Sequence, residues 1–86
     1  MYFGANIKLV RKRKGRTQSE MADFLKMKRS TLSGYENGVA QPNIESLILI
    51  SEYFNISIDT LLKINLSKLS ESQLSEIEKG FDVFIS

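Results

Sequence analysis

Apolar residues recur along this chain at helical spacing, and residues that start or stop helices separate the runs. Phe3, Ile7 and Val10 lie four and three positions apart, one stripe of a first helix. Gly15 supplies the left-handed conformation that follows a helix end. Thr17-Gln18-Ser19-Glu20 has the order of a capping box, in which the threonine hydroxyl and the glutamate carboxylate satisfy each other's free amides. A second helix therefore opens at Thr17, with Met21, Ala22 and Leu25 inward; at about two turns it needs packing to persist. After a link at Lys26-Met27-Lys28, a third helix covers roughly residues 29–36, with Leu32 inward and Tyr35 beside it, and Asn37-Gly38 ends it. Asn43 caps a fourth helix whose face is Ile44, Leu47, Ile50 and Phe54, and Asn55 takes the positive φ at its end. Ser57 caps a short fifth helix bearing Ile58, Leu61 and Leu62. Ser70-Glu71-Ser72-Gln73 repeats the capping box, and Leu74, Ile77, Phe81 and Phe84 predict a sixth, amphipathic helix, weakened by up to ~1 kcal/mol at Gly80. No strand alternation or hairpin turn is visible.

The pattern predicts an all-α chain: a five-helix body over residues 1–64 and a helical extension over 65–86. The extension packs on the body, forms a dimer seam, or leads to a further carboxy-terminal domain. At 86 residues, one domain is expected. The chain has no cysteine and no histidine, which removes disulfides, thiolate chemistry, the commonest general base and the commonest zinc ligands. No nucleophile elbow, Walker loop or paired-carboxylate motif is present, so the expectation is a non-enzyme without metal or cofactor. The glycine-aromatic platforms of RNA modules are absent as well. No apolar run approaches the ~20 residues of a membrane span, and Met1-Tyr2-Phe3-Gly4 lacks the basic head of a signal peptide. A cytoplasmic protein is expected.

Net charge is only +2, yet it is segregated. Residues 1–29 hold nine cations against two acids, and residues 30–86 hold three cations against eight acids. A concentrated positive field draws polyanions and speeds their encounter. Gln18 to Gly38 gives this field a shape. Two short helices meet across a turn, with the small Ala22 where they cross, which is the layout of a helix-turn-helix over about residues 18–37.

Thr17-Gln18, Met21-Ala22, Met27, Ser30-Thr31-Leu32-Ser33, Tyr35-Glu36-Asn37-Gly38, Pro42, Leu47, Ile50, Phe54, Ile56-Ser57, Asp59 and Leu61-Leu62 stand in an order that resembles the phage repressor and Cro-type helix-turn-helix family, over about residues 5–63. The resemblance implies a lambda-repressor-like fold whose third helix enters the major groove of double-stranded DNA. It implies an operator-binding regulator, a repressor acting as a homodimer on a palindrome. By position, the base-facing slots are Arg29, Ser30, Ser33 and Gly34. Arg29 suits a guanine edge, where a guanidinium fork is worth roughly 1–3 kcal/mol of discrimination; its other reading is a phosphate contact or solvent. The two serine hydroxyls suit a base, a phosphate or water, and Gly34 permits close approach. Thr17, Gln18, Lys28 and Asn37 are implied backbone contacts, with Arg13 and Arg16 as non-specific phosphate partners. Arg11 and Glu36 are implied to pair beneath the reading helix. Ile58, Leu62, Leu74, Ile77, Phe81 and Phe84 are the expected dimer seam. A different reading of the same apolar tail is an antitoxin or adaptor that binds a protein through it. Two positions depart from the family: Lys26 stands where many members have glycine, and Lys28 where many have a serine or threonine cap.

Overall fold

The stripe Phe3, Ile7 and Val10 forms the inner face of helix α1 (Phe3–Arg13) in the computed structural model, which describes residues 1–80. Helix α2 (Gln18–Phe24) begins at the capping box: the Thr17 hydroxyl accepts from the Glu20 amide at 3.1 Å, and the Glu20 carboxylate accepts from the Thr17 amide at 2.8 Å. Lys26 turns the chain with φ 57°, and helix α3 (Arg29–Asn37) follows, ending on Gly38 at φ 76°. Helix α4 (Ile44–Phe54) is capped by the Asn43 side chain, which accepts from the Ser46 amide at 2.8 Å, and it stops at Asn55 with φ 55°. Helix α5 (Ile58–Lys63) starts on Ser57. A 3₁₀ turn (Leu66–Lys68), not foreseen from the sequence, leads into helix α6 (Glu71–Glu78) and its Ser70–Gln73 capping box. Every regular element among the described residues is helical, and none is long and apolar enough to cross a membrane.

The helices share one core. Ile7, Met21, Leu32, Ile50, Leu61 and Leu66 are fully buried and bring α1 through α5 and the 3₁₀ turn together. Leu47, expected in the core, is only half-buried at its edge. Leu74 and Ile77 of α6 also enter this core. Their expected place in a dimer seam is therefore corrected: the same spacing serves either an intramolecular or an intermolecular partner, and here the partner is the chain's own body. The sixth helix is also shorter than its apolar spacing suggested. It stops at Glu78, and Gly80 has φ 90°, which a continuing right-handed helix does not accommodate. Phe81 and Phe84 lie outside the described residues.

Two residues of α1 that sequence reading passed over set the packing. Asn6 is buried; its amide donates to the carbonyls of Leu61 at 2.8 Å and Ile64 at 2.6 Å, and its oxygen accepts from the Leu66 amide at 3.1 Å. It closes the main-chain groups that the end of α5 leaves open. Gly4 lies where α1 crosses the end of α3, and a Cβ there would collide with the Tyr35 and Glu36 carbonyl oxygens. That close approach holds α1 against the helix whose outer face matters next.

Candidate nucleic-acid interface

Helix α3 is held from beneath by a buried cluster of charge. Arg11 Nε donates to Glu36 Oε2 at 2.7 Å and Nη2 donates to Oε1 at 3.0 Å, a bidentate pair. The Arg11 side chain is 8% exposed and that of Glu36 0%. Arg11 Nη1 donates to the Arg16 carbonyl at 2.7 Å, and Gln18 Nε2 donates to Glu36 Oε1 at 3.0 Å. The hydrogen bond to Glu36 raises the Arg11 pKa above the ordinary guanidinium value, against the opposing effect of burial. One carboxylate thus joins α1, the start of α2 and α3, and fixes the angle at which α3 is presented.

The opposite face of α3 is open. Lys28, Arg29 and Ser30 are exposed at its start, where Lys28 takes the N-cap position with no side-chain cap. The first amides of a helix lack intrahelical partners, and this end attracts anions by its dipole. Ser33 is half-buried one turn on, with its hydroxyl accepting from Asn37 Nδ2 at 3.3 Å. Gly34 is half-buried, and the close approach seen there is to its own loop: a Cβ would lie 3.4 Å from Ala40 Cβ and 3.6 Å from Val39 Cγ2. Thr17 and Arg16 are exposed beside the start of α2. The Gln18 side chain, expected at a phosphate, is turned onto Glu36.

Arg13, expected as a phosphate partner, is engaged within the chain. Instead of standing free for phosphate, its guanidinium meets two carboxylates of α6: Nε and Nη2 donate to Glu78 at 2.8 and 2.7 Å, and Nη1 and Nη2 donate to Glu71 at 2.7 and 3.0 Å. Bonds to Glu78 and then Glu71 push its pKa far above the usual value, and the Arg13 bond holds the Glu71 carboxyl below the usual carboxylate range. Of the expected seam, Ile58 and Leu62 of α5 are half-buried and retain open surface. Among the described residues no cluster of acidic, histidine or cysteine side chains is arranged to hold a metal ion.

A helix-turn-helix family model matches residues 7–61, from the middle of α1 through α5. The chain belongs to the helix-turn-helix family. Similar proteins include the HTH-type transcriptional activator BcrR of Enterococcus faecalis, 39% identical over 62 residues, 72% of this chain and 30% of that protein. The HTH-type transcriptional regulator YqaE of Bacillus subtilis strain 168 is 43% identical over 61 residues, 71% of this chain and 53% of its own length. The ImmF control region 10 kDa protein of Bacillus phage phi105 is 40% identical over 80 residues, 93% of this chain and 81% of that protein. This helix-turn-helix chain thus spans about half or less of the first two relatives and most of the phage protein. No solved structure matches it. In this family member the two departures take definite form. Lys26 has the left-handed φ that glycine adopts freely, a strain of about 1 kcal/mol, and α3 begins without a side-chain cap.

Proposed function

We propose that the chain is the operator-reading module of a transcriptional repressor: it binds double-stranded DNA as a homodimer on an inverted repeat, with α3 in the major groove. The observation that carries this reading is the pairing of a locked inner face with an exposed outer one. Arg11, Glu36 and Gln18 fix α3, while Lys28, Arg29 and Ser30 stand exposed at its uncapped start. Arg29 reads a guanine edge, and Ser30 and Ser33 bind bases or bridging water nearby. Gly34 keeps the helix surface low. Thr17, Gln18 through its main chain, Lys28, Asn37 and Arg16 grip the sugar-phosphate backbone, which sets register without specifying sequence. One such module makes few contacts, so two copies address half-sites about one helical turn, ~34 Å, apart. Among the described residues, Ile58 and Leu62 are the seam residues that remain. The adaptor reading loses its main support, because Leu74 and Ile77 are buried within the chain.

Selection of binding sites from random DNA tests this directly. The wild-type chain should yield a palindromic motif, and Arg29→Ala should relax it at one base pair per half-site, with a loss of roughly 1–3 kcal/mol. Uniform weakening with an unchanged motif would move Arg29 to the backbone. A promoter fused to the selected site separates repression from activation, and Leu62→Glu should abolish binding to the paired site before binding to a half-site.

A further inference from the structure

A second surface lies on the other side of α2. Glu20 and Phe24 sit about 200° and 240° round that helix from Gln18, by its 100° per residue, and they line an open groove of about 1000 Å³ between the end of α1, α2 and α4. None of its lining residues belongs to α3. Its apolar part is Phe24, 70% exposed, and Leu49, 45% exposed, with the Phe24 ring 5.1 Å from that of Tyr53. Three cations rim it. Lys14 Nζ lies 5.6 Å from the Tyr53 ring centre, Arg16 stands near Glu20, and Lys26 is the residue with φ 57°. Among the described residues none of these three forms an ion pair with a carboxylate within 4.0 Å. Glu20 is engaged with the Thr17 amide, which leaves Glu52 as the other acid in the lining.

The place of Lys26 is informative. Its backbone conformation favours glycine, so the lysine stands there against a local preference, and its side chain lines this groove. An exposed phenylalanine beside a tyrosine and a leucine, edged by lysines, is the composition of a docking surface for aromatic or aliphatic anchors. We propose that this groove docks a protein segment in which carboxylates flank a leucine or an aromatic side chain. The anchor covers Phe24, Leu49 and Tyr53, and the carboxylates meet Lys14 and Lys26. The apolar floor suits such a segment better than a polyphosphate chain, which has no apolar side chain to place on it. α3 takes no part in the groove, and of the proposed backbone contacts only Arg16 lines it, so a segment held by Lys14 and Lys26 leaves the reading helix free, and the proposal does not depend on the operator reading.

The test begins with selection from a random peptide library on the immobilised full chain. Enriched peptides are then synthesised and titrated by fluorescence anisotropy against the wild type and two variants. The expected consensus has at least one aromatic residue or leucine flanked by acids. Phe24→Ser should weaken binding by about tenfold or more, ~1.4 kcal/mol. Lys26→Gly should also weaken binding severalfold while raising the melting temperature, which separates lost docking from lost folding. A basic or wholly polar consensus would overturn the proposal, as would failure of any peptide to enrich or unchanged affinity in both variants. A drop in the chain's own oligomeric state on Phe24→Ser would overturn it too, since the face would then belong to a second copy.

Discussion

Glu36, its side chain fully buried, receives donors from two directions, Arg11 and Gln18. Removing the carboxylate strands a guanidinium in the interior. Glu36→Ala should therefore cost about 3–5 kcal/mol in urea denaturation, and Arg11→Met combined with Glu36→Leu should recover much of it, because neither charge is then left alone. The two glycines that flank this site behave oppositely. Gly4→Ala drives a methyl group into the Tyr35 and Glu36 carbonyls and should destabilise by about 1–3 kcal/mol. Gly34→Ala meets Ala40 and Val39 at ordinary contact distance, so its stability should hold or rise by up to ~1 kcal/mol while its effect is read on DNA. The Arg11–Glu36 pairing was legible in the sequence only through the resemblance, since nothing local ties residues so far apart. Gly4 and Asn6 carried no signal at all. A glycine and a polar residue in a first helix read as surface, and only the crossing of α1 with α3 and α5 gives them their work.

At the scale of elements, the caps were legible because they are local. Thr17–Glu20, Asn43, Ser57 and Ser70–Gln73 each close bonds within three residues, and all are found where the sequence placed them. The direction in which an apolar stripe faces is not local. Leu74 and Ile77 advertise a partner, and whether that partner is another chain or this one is decided by long-range geometry, which here includes the Arg13 clasp on Glu71 and Glu78. Arg13→Gln should accordingly speed hydrogen exchange of the amides over 71–78 while those of α2 and α3 keep their protection. The pH dependence follows from the two shifts. The lowered Glu71 pKa contributes stability that is complete above the unfolded carboxylate value, about 4.3, and is lost as pH falls through the lower folded value. The raised Arg13 pKa contributes below the unfolded guanidinium value and is lost only far into alkali. Exchange protection of α6 should thus be flat near neutrality and fall below pH ~4, and a loosening between pH 6 and 8 would contradict the clasp.

For the whole molecule, the segregation of charge along the chain is partly undone in space. The acidic carboxy-terminal half folds Glu71 and Glu78 onto a basic first helix, so the positive face offered to a polyanion is smaller than the count over residues 1–29 suggests. Salt dependence measures that difference. Each phosphate neutralised contributes about −0.9 to the slope of log affinity against log salt for duplex DNA. Lys28→Ala removes an exposed cation at the start of α3 and should reduce the slope by ~1. Arg13→Gln should leave it unchanged, because its guanidinium is already neutralised within the chain. Equal reductions in the two variants would mean that the duplex draws Arg13 away from α6. Binding would then release that helix, and the exchange protection of residues 71–78 would have to fall when operator DNA is added.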